Sequence, residues 1–276
     1  MMARALEDHP IGRATTPDNQ SEDPDISFII GHRGVERLPN LLATVMSIAG
    51  QKDASIECIV IEQSKEQVIN AHLPSWVRYI HTSLPCEAMP YCRSWAFNVG
   101  AKAARGKALV FHDNDMLVPV DYAKEIFQRF KEGYQAMNVK RFIFYLTQNH
   151  SAAVMAGDEP ITGRAPDVIV QNLEAGGSVA INRDSFFKIG GFDESFVGWG
   201  GEDNEFWDRV VMLKTWPYGY LPIVHLWHAP QSEKLHLERS TTSLYEIRSA
   251  IPAADRVAEL TTRSLGNLQA PFGYCS

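Results

Sequence analysis

The chain has 276 residues, 45% of them hydrophobic, and a formal net charge of -7 at pH 7. That is apolar material for one sizeable core, with length left over for tails. Lysine and arginine are scattered without a basic stripe, which excludes nucleic acid and a directly bound anionic membrane surface as partners. Four cysteines, Cys58, Cys86, Cys92 and Cys275, make no CxxC pair and no zinc-ligand spacing, as suits free thiols in a reducing cytoplasm. No apolar run approaches the ~20 residues of a membrane span, and the N-terminus lacks the apolar stretch of a signal peptide. A cytoplasmic protein with no transmembrane segment is expected, leaving open peripheral membrane association through a partner.

Residues 1–24 are polar, rich in Asp and Pro and without periodicity, so they read as a flexible arm. Ile26 to Ile30 is a β-branched run closed by Gly31-His-Arg-Gly34, and Leu38, Leu41, Leu42, Val45, Met46 and Ala49 follow at helical spacing. A second strand signal, Ile56 to Ile61, ends at Glu62, and Val77 to Ile80 is a third. Tyr91 to Ala104 predicts a helix stopped by Gly106, and Ala108 to Phe111 an uninterrupted apolar strand. Parallel β/α winding is the expected fold class. Residues 135–147 carry a further aromatic strand, whereas 148–172 show no pattern and read as a long loop. Gly176 to Ile181 is a glycine-led strand, Asn182 to Ile189 a short helix, and Tyr218 to His225 a returning strand. Residues 231–276 read as a partly helical C-terminal extension to a main domain of residues 25–230.

A strand apolar on both faces is buried on both faces, so the Asp113-Asn-Asp115 at its C-terminal end falls where open α/β sheets bind ligands. In an extended segment the two carboxylates point one way and Asn114 the other, which lets them share a divalent cation or divide a cation and a sugar hydroxyl. A solvated turn is the commoner fate of such a triplet. Glycines 198, 200 and 201 form a mobile loop around Trp199 and lead into Glu202 and Asp203 at a helix start. Asp203 shares its helix face with Phe206, Trp207 and Val210, so it is the acid expected to point inward. The alternative is that both acids only favour the positive end of the helix dipole. His225 and His228 would face opposite ways on a regular strand and can meet at one metal only if the chain bends.

These residues resemble the GT-A glycosyltransferases, with their Rossmann-like three-layer sandwich and mostly parallel central sheet. Within them they resemble the galactosyltransferase and N-acetylgalactosaminyltransferase group that carries a W-G-G-E-D motif, and also family-two glycosyltransferases. The resemblance spans Ile26 to His228. Its most specific stretch runs from Gly176 to Phe192 and on through Gly198-Trp-Gly-Gly-Glu-Asp203, with Arg33, Arg93, Asn98-Val-Gly100, Asp113-Asn-Asp115 and His228 matching in order. Gly31-His-Arg-Gly34 departs from the usual proline-led first loop, Glu62 stands where many relatives have aspartate, and His225 replaces a methionine metal ligand of some galactosyltransferases.

The resemblance implies an inverting transfer of a sugar from a nucleoside diphosphate donor, UDP-linked, to a hydroxyl of a glycan or glycoconjugate acceptor. It assigns Arg33, Glu62, Arg93, Asp113 and Gly177 to the nucleotide sugar, and Trp199, Gly201 and Glu202 to sugar and acceptor. Asp115, His225 and His228 would hold Mn2+ or Mg2+, and Asp203 would be the base. Two other classes stay open: a nucleotidyltransferase, which normally shows a longer glycine-rich phosphate loop, and a non-catalytic carbohydrate-binding protein on the same fold.

Overall fold

The computed structural model describes residues 1–230 and 241–273. Residues 231–240 of the expected C-terminal extension and Cys275 lie outside the described residues. In chain order the strands that build the main sheet are β1 (Ile26–His32), β2 (Ile56–Ser64), β3 (Arg78–Ser83) and β4 (Ala108–His112). A second sheet takes β5 (Met116–Leu117), β7 (Lys140–Tyr145), β8 (Val168–Gln171) and β11 (Leu221–His225). The main sheet also contains β6 (Ala136–Met137), β9 (Ser178–Asn182) and β10 (Thr215–Trp216), in the order β10-β6-β9-β4-β1-β2-β3. Pairs β1–β2, β2–β3, β1–β4 and β6–β10 are parallel, while β9 runs antiparallel between β4 and β6. The mostly parallel central sheet is therefore present.

Period-two alternation divides the strand side chains between two cores. Ile26, Phe28 and Ile30 pack with Cys58, Val60 and Val110 under α2 (Leu38–Ala49), which contributes Leu41, Val45 and Ile48. On the other face Ile29, Ile59, Ile61, Leu109 and Phe111 meet Trp95, Phe97 and Val99 of α3 (Arg93–Ala103). Phe186 of α6 (Arg183–Lys188) and Phe206 and Val210 of α7 (Glu202–Val210) complete that layer. Between these elements in the chain stand α4 (Tyr122–Lys131) and α5 (Gln148–Ala156), and α8 (Thr242–Ser249) and α9 (Ala253–Leu260) end it. Helix, sheet and helix make the three layers. Among the described residues no helix is long and apolar enough to cross a membrane.

Three sequence expectations change. The expected strand at 135–147 is two strands, β6 in the main sheet and β7 in the second. Residues 148–172 are not a structureless loop: Thr147 caps α5 by accepting from the His150 amide, and β8 pairs antiparallel with β7. An edge strand of four mostly exposed residues has no buried face to leave a pattern. The N-terminal arm is likewise ordered, because α1 (Met2–Asp8) buries Met2 and Leu6 against Leu117, Phe144, Leu146, Val154, Val224 and Leu226. Bonds from Val120 N to Pro10 O (2.9 Å), Ala14 N to Met46 O (3.0 Å) and Trp76 Nε1 to Thr15 O (3.0 Å) tie down the segment after α1. Two apolar residues four apart are too few to register as periodicity, yet they suffice to dock a two-turn helix. Leu6→Ala is expected to lower unfolding free energy in urea by about 2–3 kcal/mol, the low end for a buried leucine. A change below about 0.5 kcal/mol would return the arm to the flexible class.

Candidate active site

The antiparallel pairing of β5 with β11 places Met116 opposite His225, so the acidic turn after β4 and the late histidines become neighbours despite their distance in sequence. Just past β11, Leu226 still donates its amide to Asp115 O (2.8 Å). Both histidines nevertheless reach the same carboxylate, so the chain from His225 to His228 is not regularly extended. His228 Nε2 comes within 3.2 Å of one Asp115 oxygen and His225 Nε2 within 3.6 Å of the other. One ligand atom from each of the three residues lies within 4.8 Å of the others, a spacing suited to a metal ion. Asp115 Oδ1 and His225 Nδ1 are buried without a hydrogen-bond partner among the described residues. Buried polar atoms are seldom left so, and a cation shared by these side chains would satisfy the carboxylate oxygen.

Electrostatics also suit a cation. Burial pushes the Asp115 carboxyl up, but the His228 hydrogen bond and the charges of His225, His228 and Arg37 outweigh it and hold it at about 2. Burial pushes His225 down, which favours the neutral imidazole that ligates metals. Tyr145 stacks on His225 with ring centroids 4.2 Å apart and fixes its plane. Arg37 bonds Asp115 (3.2 Å) and reaches His228 Nδ1 (2.8 Å), so one guanidinium already stands at the site's edge. Asn114 and Asp115 form a turn, not the extended segment expected, and Asn114 there bonds buried His32 at 2.8 Å.

A second cluster adjoins the first. Arg93, at the start of α3, bonds Asp113 (2.5 Å), Glu202 (3.4 Å) and Asp203 with the same guanidinium, and its ring-facing side lies over Phe97. Burial, with the neighbouring Asp203 charge, pushes the Glu202 carboxyl up to about 7, Arg93 opposing. Burial likewise raises Asp113, to about 6. Three carboxylates around one guanidinium leave uncompensated negative charge, and Lys140 supplies part of the balance from β7. Its ammonium is buried, bonds Ser178 O (3.2 Å) and is pushed down to about 7 by burial against the pull of Asp203 and Asp113. Gly176, at φ +75°, passes so close to Asp203 that an added Cβ would stand 2.9 Å from Oδ2. A side chain here would displace the carboxylate.

The position of α7 depends on groups far along the chain. Arg209 grips Glu205 by two bonds (2.8 and 2.6 Å), and Arg256 of α9 adds contacts to Glu205 (3.1 Å) and Asp208 (3.2 Å). Upstream of the glycine loop, Asp193 pairs with Arg248 (3.2 Å) and Arg263 (2.9 Å). Glu194 accepts from Asn98 (2.8 Å) and from the amides of Gly266 (2.6 Å) and Phe272 (2.7 Å). The C-terminal helices therefore clamp both ends of the Trp199 loop. Removing one partner of a buried ion pair costs more than the pair contributes, because the other charge stays buried. Arg256→Ala is expected to destabilise by roughly 3 kcal/mol in chemical denaturation, at the low end because Arg209 still covers Glu205. Stability equal to the parent's would show that the clamp carries no energy.

The remaining sequence-assigned residues are spread unevenly. Trp199 is 39% exposed in the loop, as expected, and its carbonyl accepts from Thr241. Gly201 begins α7 at φ +87°, but a Cβ there would meet Tyr245 at 2.6 Å, so its bareness serves helix packing. Gly177 carries the carbonyl that receives the Asp113 amide (2.9 Å). Arg33 reaches Met89 O (2.8 Å) and Gln63 O (3.0 Å), bracing the loops at the ends of the strands. Glu62 is not brought to the site surface: it is fully buried, accepting from Tyr79 (2.5 Å) and from the amides of Val68 and Ile69. Arg37 and Lys140, which sequence reasoning did not single out, join the site. Lys140 and Arg141 open β7 side by side, and nothing local marks Lys140 as the buried one.

A three-layer sandwich with these acids beyond its strand ends defines a glycosyltransferase of the GT-A fold. Residues 27–217 match the family described as Glycosyltransferase like family 2, and the chain belongs to that family. Over 92 residues it is 32% identical to Beta-1,4-galactosyltransferase 4 of Cricetulus griseus, covering 30% of this chain and 27% of that protein. Over 66 residues it is 36% identical to Probable N-acetylgalactosaminyltransferase 9 of Caenorhabditis elegans, covering 22% and 10%. Beta-1,4-galactosyltransferase 4 of Homo sapiens is 49% identical over 39 residues, covering 14% and 11%. The chain thus spans about a quarter or less of the length of these curated relatives.

Proposed function

We propose that the chain transfers a sugar from a UDP-linked donor to an acceptor hydroxyl with inversion, using a divalent cation such as Mn2+. The observation that carries this reading is the Asp115-His225-His228 group standing beside the Arg93-Asp113-Glu202-Asp203 cluster. A cation held by Asp115, His225 and His228 would offset the negative charge that grows on a departing diphosphate. Arg37, already beside Asp115, and Arg93 add fixed positive charge for the same phosphates. Asp113, beside Arg93, would bond a donor sugar hydroxyl. Single displacement needs a base opposite the leaving group, and Asp203 takes the acceptor proton as the new C–O bond forms. Glu202, with its raised carboxyl, can donate as well as accept hydrogen bonds to sugar hydroxyls, and Trp199 offers an exposed ring face. The glycan or glycoconjugate acceptor is part of this proposal. The buried thiols Cys58 and Cys92, neither in a disulfide, support its cytoplasmic setting.

Calorimetric titration with UDP, with and without manganese, tests the donor half. Binding should require the metal, and Asp115→Ala should remove manganese-stimulated binding together with turnover, because charge and geometry go together. Metal dependence unchanged in the variant would refute the ligand assignment. Kinetics test the chemical half. Asp203→Asn should bind UDP and manganese like the parent while kcat falls on the order of 10²-fold or more. Glu202→Gln should act mainly on KM. A larger kcat loss in Glu202→Gln, with binding intact, would move the base to Glu202.

A further inference from the structure

A cleft of about 440 Å³ opens along α7 one turn beyond Asp203, within the size range of small-molecule sites. It is lined by Trp207, Trp216 and Tyr218, with Lys140, Arg141 and Glu174 supplying charge. We propose that this cleft is the acceptor subsite and binds one or two pyranose units of a saccharide next to the base. The proposal deepens the transferase reading and rests on it.

Three observations support it. The first is continuity. Trp207 follows Asp203 by one helical turn on the same face, and Lys140, in the cleft wall, is 3.6 Å from where a Gly177 Cβ would stand, next to the glycine that touches Asp203. The wall at Lys140 and Trp207 therefore adjoins the backbone that touches Asp203, and a sugar in the cleft lies on the side of the proposed base. The second is composition. Aromatic faces accept the C–H side of a pyranose, and a mixed rim of cations, Glu174 and the amide of Asn172 pairs with its hydroxyls, whereas a lipid chain would find no reason for that rim. The third is access. Tyr218 is 65% exposed and Asn172 is exposed beside it, so both lining side chains stand open to a ligand.

The test is nuclear magnetic resonance on the full chain with UDP and magnesium, adding the methyl β-glycosides of galactose, N-acetylglucosamine and N-acetylgalactosamine, and lactose. At least one should show saturation transfer and shift the indole N–H resonance of Trp207. Tyr218→Ala, at an exposed position, should weaken that glycoside at least five-fold in Kd. UDP affinity is read on the same samples. With UDP bound, silence of all four sugars, shifts that leave Trp207 unmoved, or parental affinity in Tyr218→Ala each overturns the subsite alone. If UDP also fails to bind, the transferase reading falls and the subsite with it.

Discussion

The guanidinium of Arg93 is the contact on which the site's geometry depends. Asp113 leaves the end of β4, while Glu202 and Asp203 open α7, and nothing in either element alone would bring these carboxylates together. Like charges at such separations repel, and burial adds to the cost. A cation rooted in α3, whose other residues pack on the sheet, makes the convergence tolerable and fixes its position. The compensation is partial, as the raised Glu202 and Asp113 carboxyls show. Residual negative potential of this kind is what attracts a divalent ion and orients polar hydroxyls.

The rest of the molecule can be understood as holding that convergence still. The main sheet presents Asp113 and Asp115 at its C-terminal edge, and the second sheet brings His225 back beside them through a two-residue strand. Arginines of the C-terminal segment hold Asp193, Glu205 and Asp208 on either side of the glycine loop. The loop can then keep its exposed tryptophan and its left-handed glycines while both anchors remain buried. Rigidity at the base and freedom at the tip belong to the same arrangement.

Much of this was legible in the sequence where burial leaves a period. The strands around Ile26, Ile56 and Ala108 and the helix after Arg37 carry two-sided or one-sided apolar patterns, and their parallel pairing followed. The acids after Phe111 could be placed at the sheet's C-terminal edge from the buried strand before them, but helix spacing singled out Asp203 as the inward acid, whereas Glu202 also reaches Arg93 and is the less exposed side chain, 12% against 29%. Elements without a period were hidden: the two-turn α1, the four-residue β8, and the split between β6 and β7, where one aromatic run serves two sheets. Glu62 showed the limit of analogy, since burial under Tyr79 is a tertiary fact with no local sign. Arg37, Lys140 and the C-terminal arginines likewise owe their roles to partners tens of residues away, which spacing cannot reveal.

The central claim is that the late histidines and the acidic turn form one cation site that faces the donor's diphosphate. Pulsed electron paramagnetic resonance on bound manganese tests it directly. The account predicts nitrogen couplings from two imidazoles, those of His225 and His228, and a phosphorus coupling that appears when UDP is added. Manganese that binds without imidazole nitrogen, or shows no phosphorus coupling with UDP present, would contradict it.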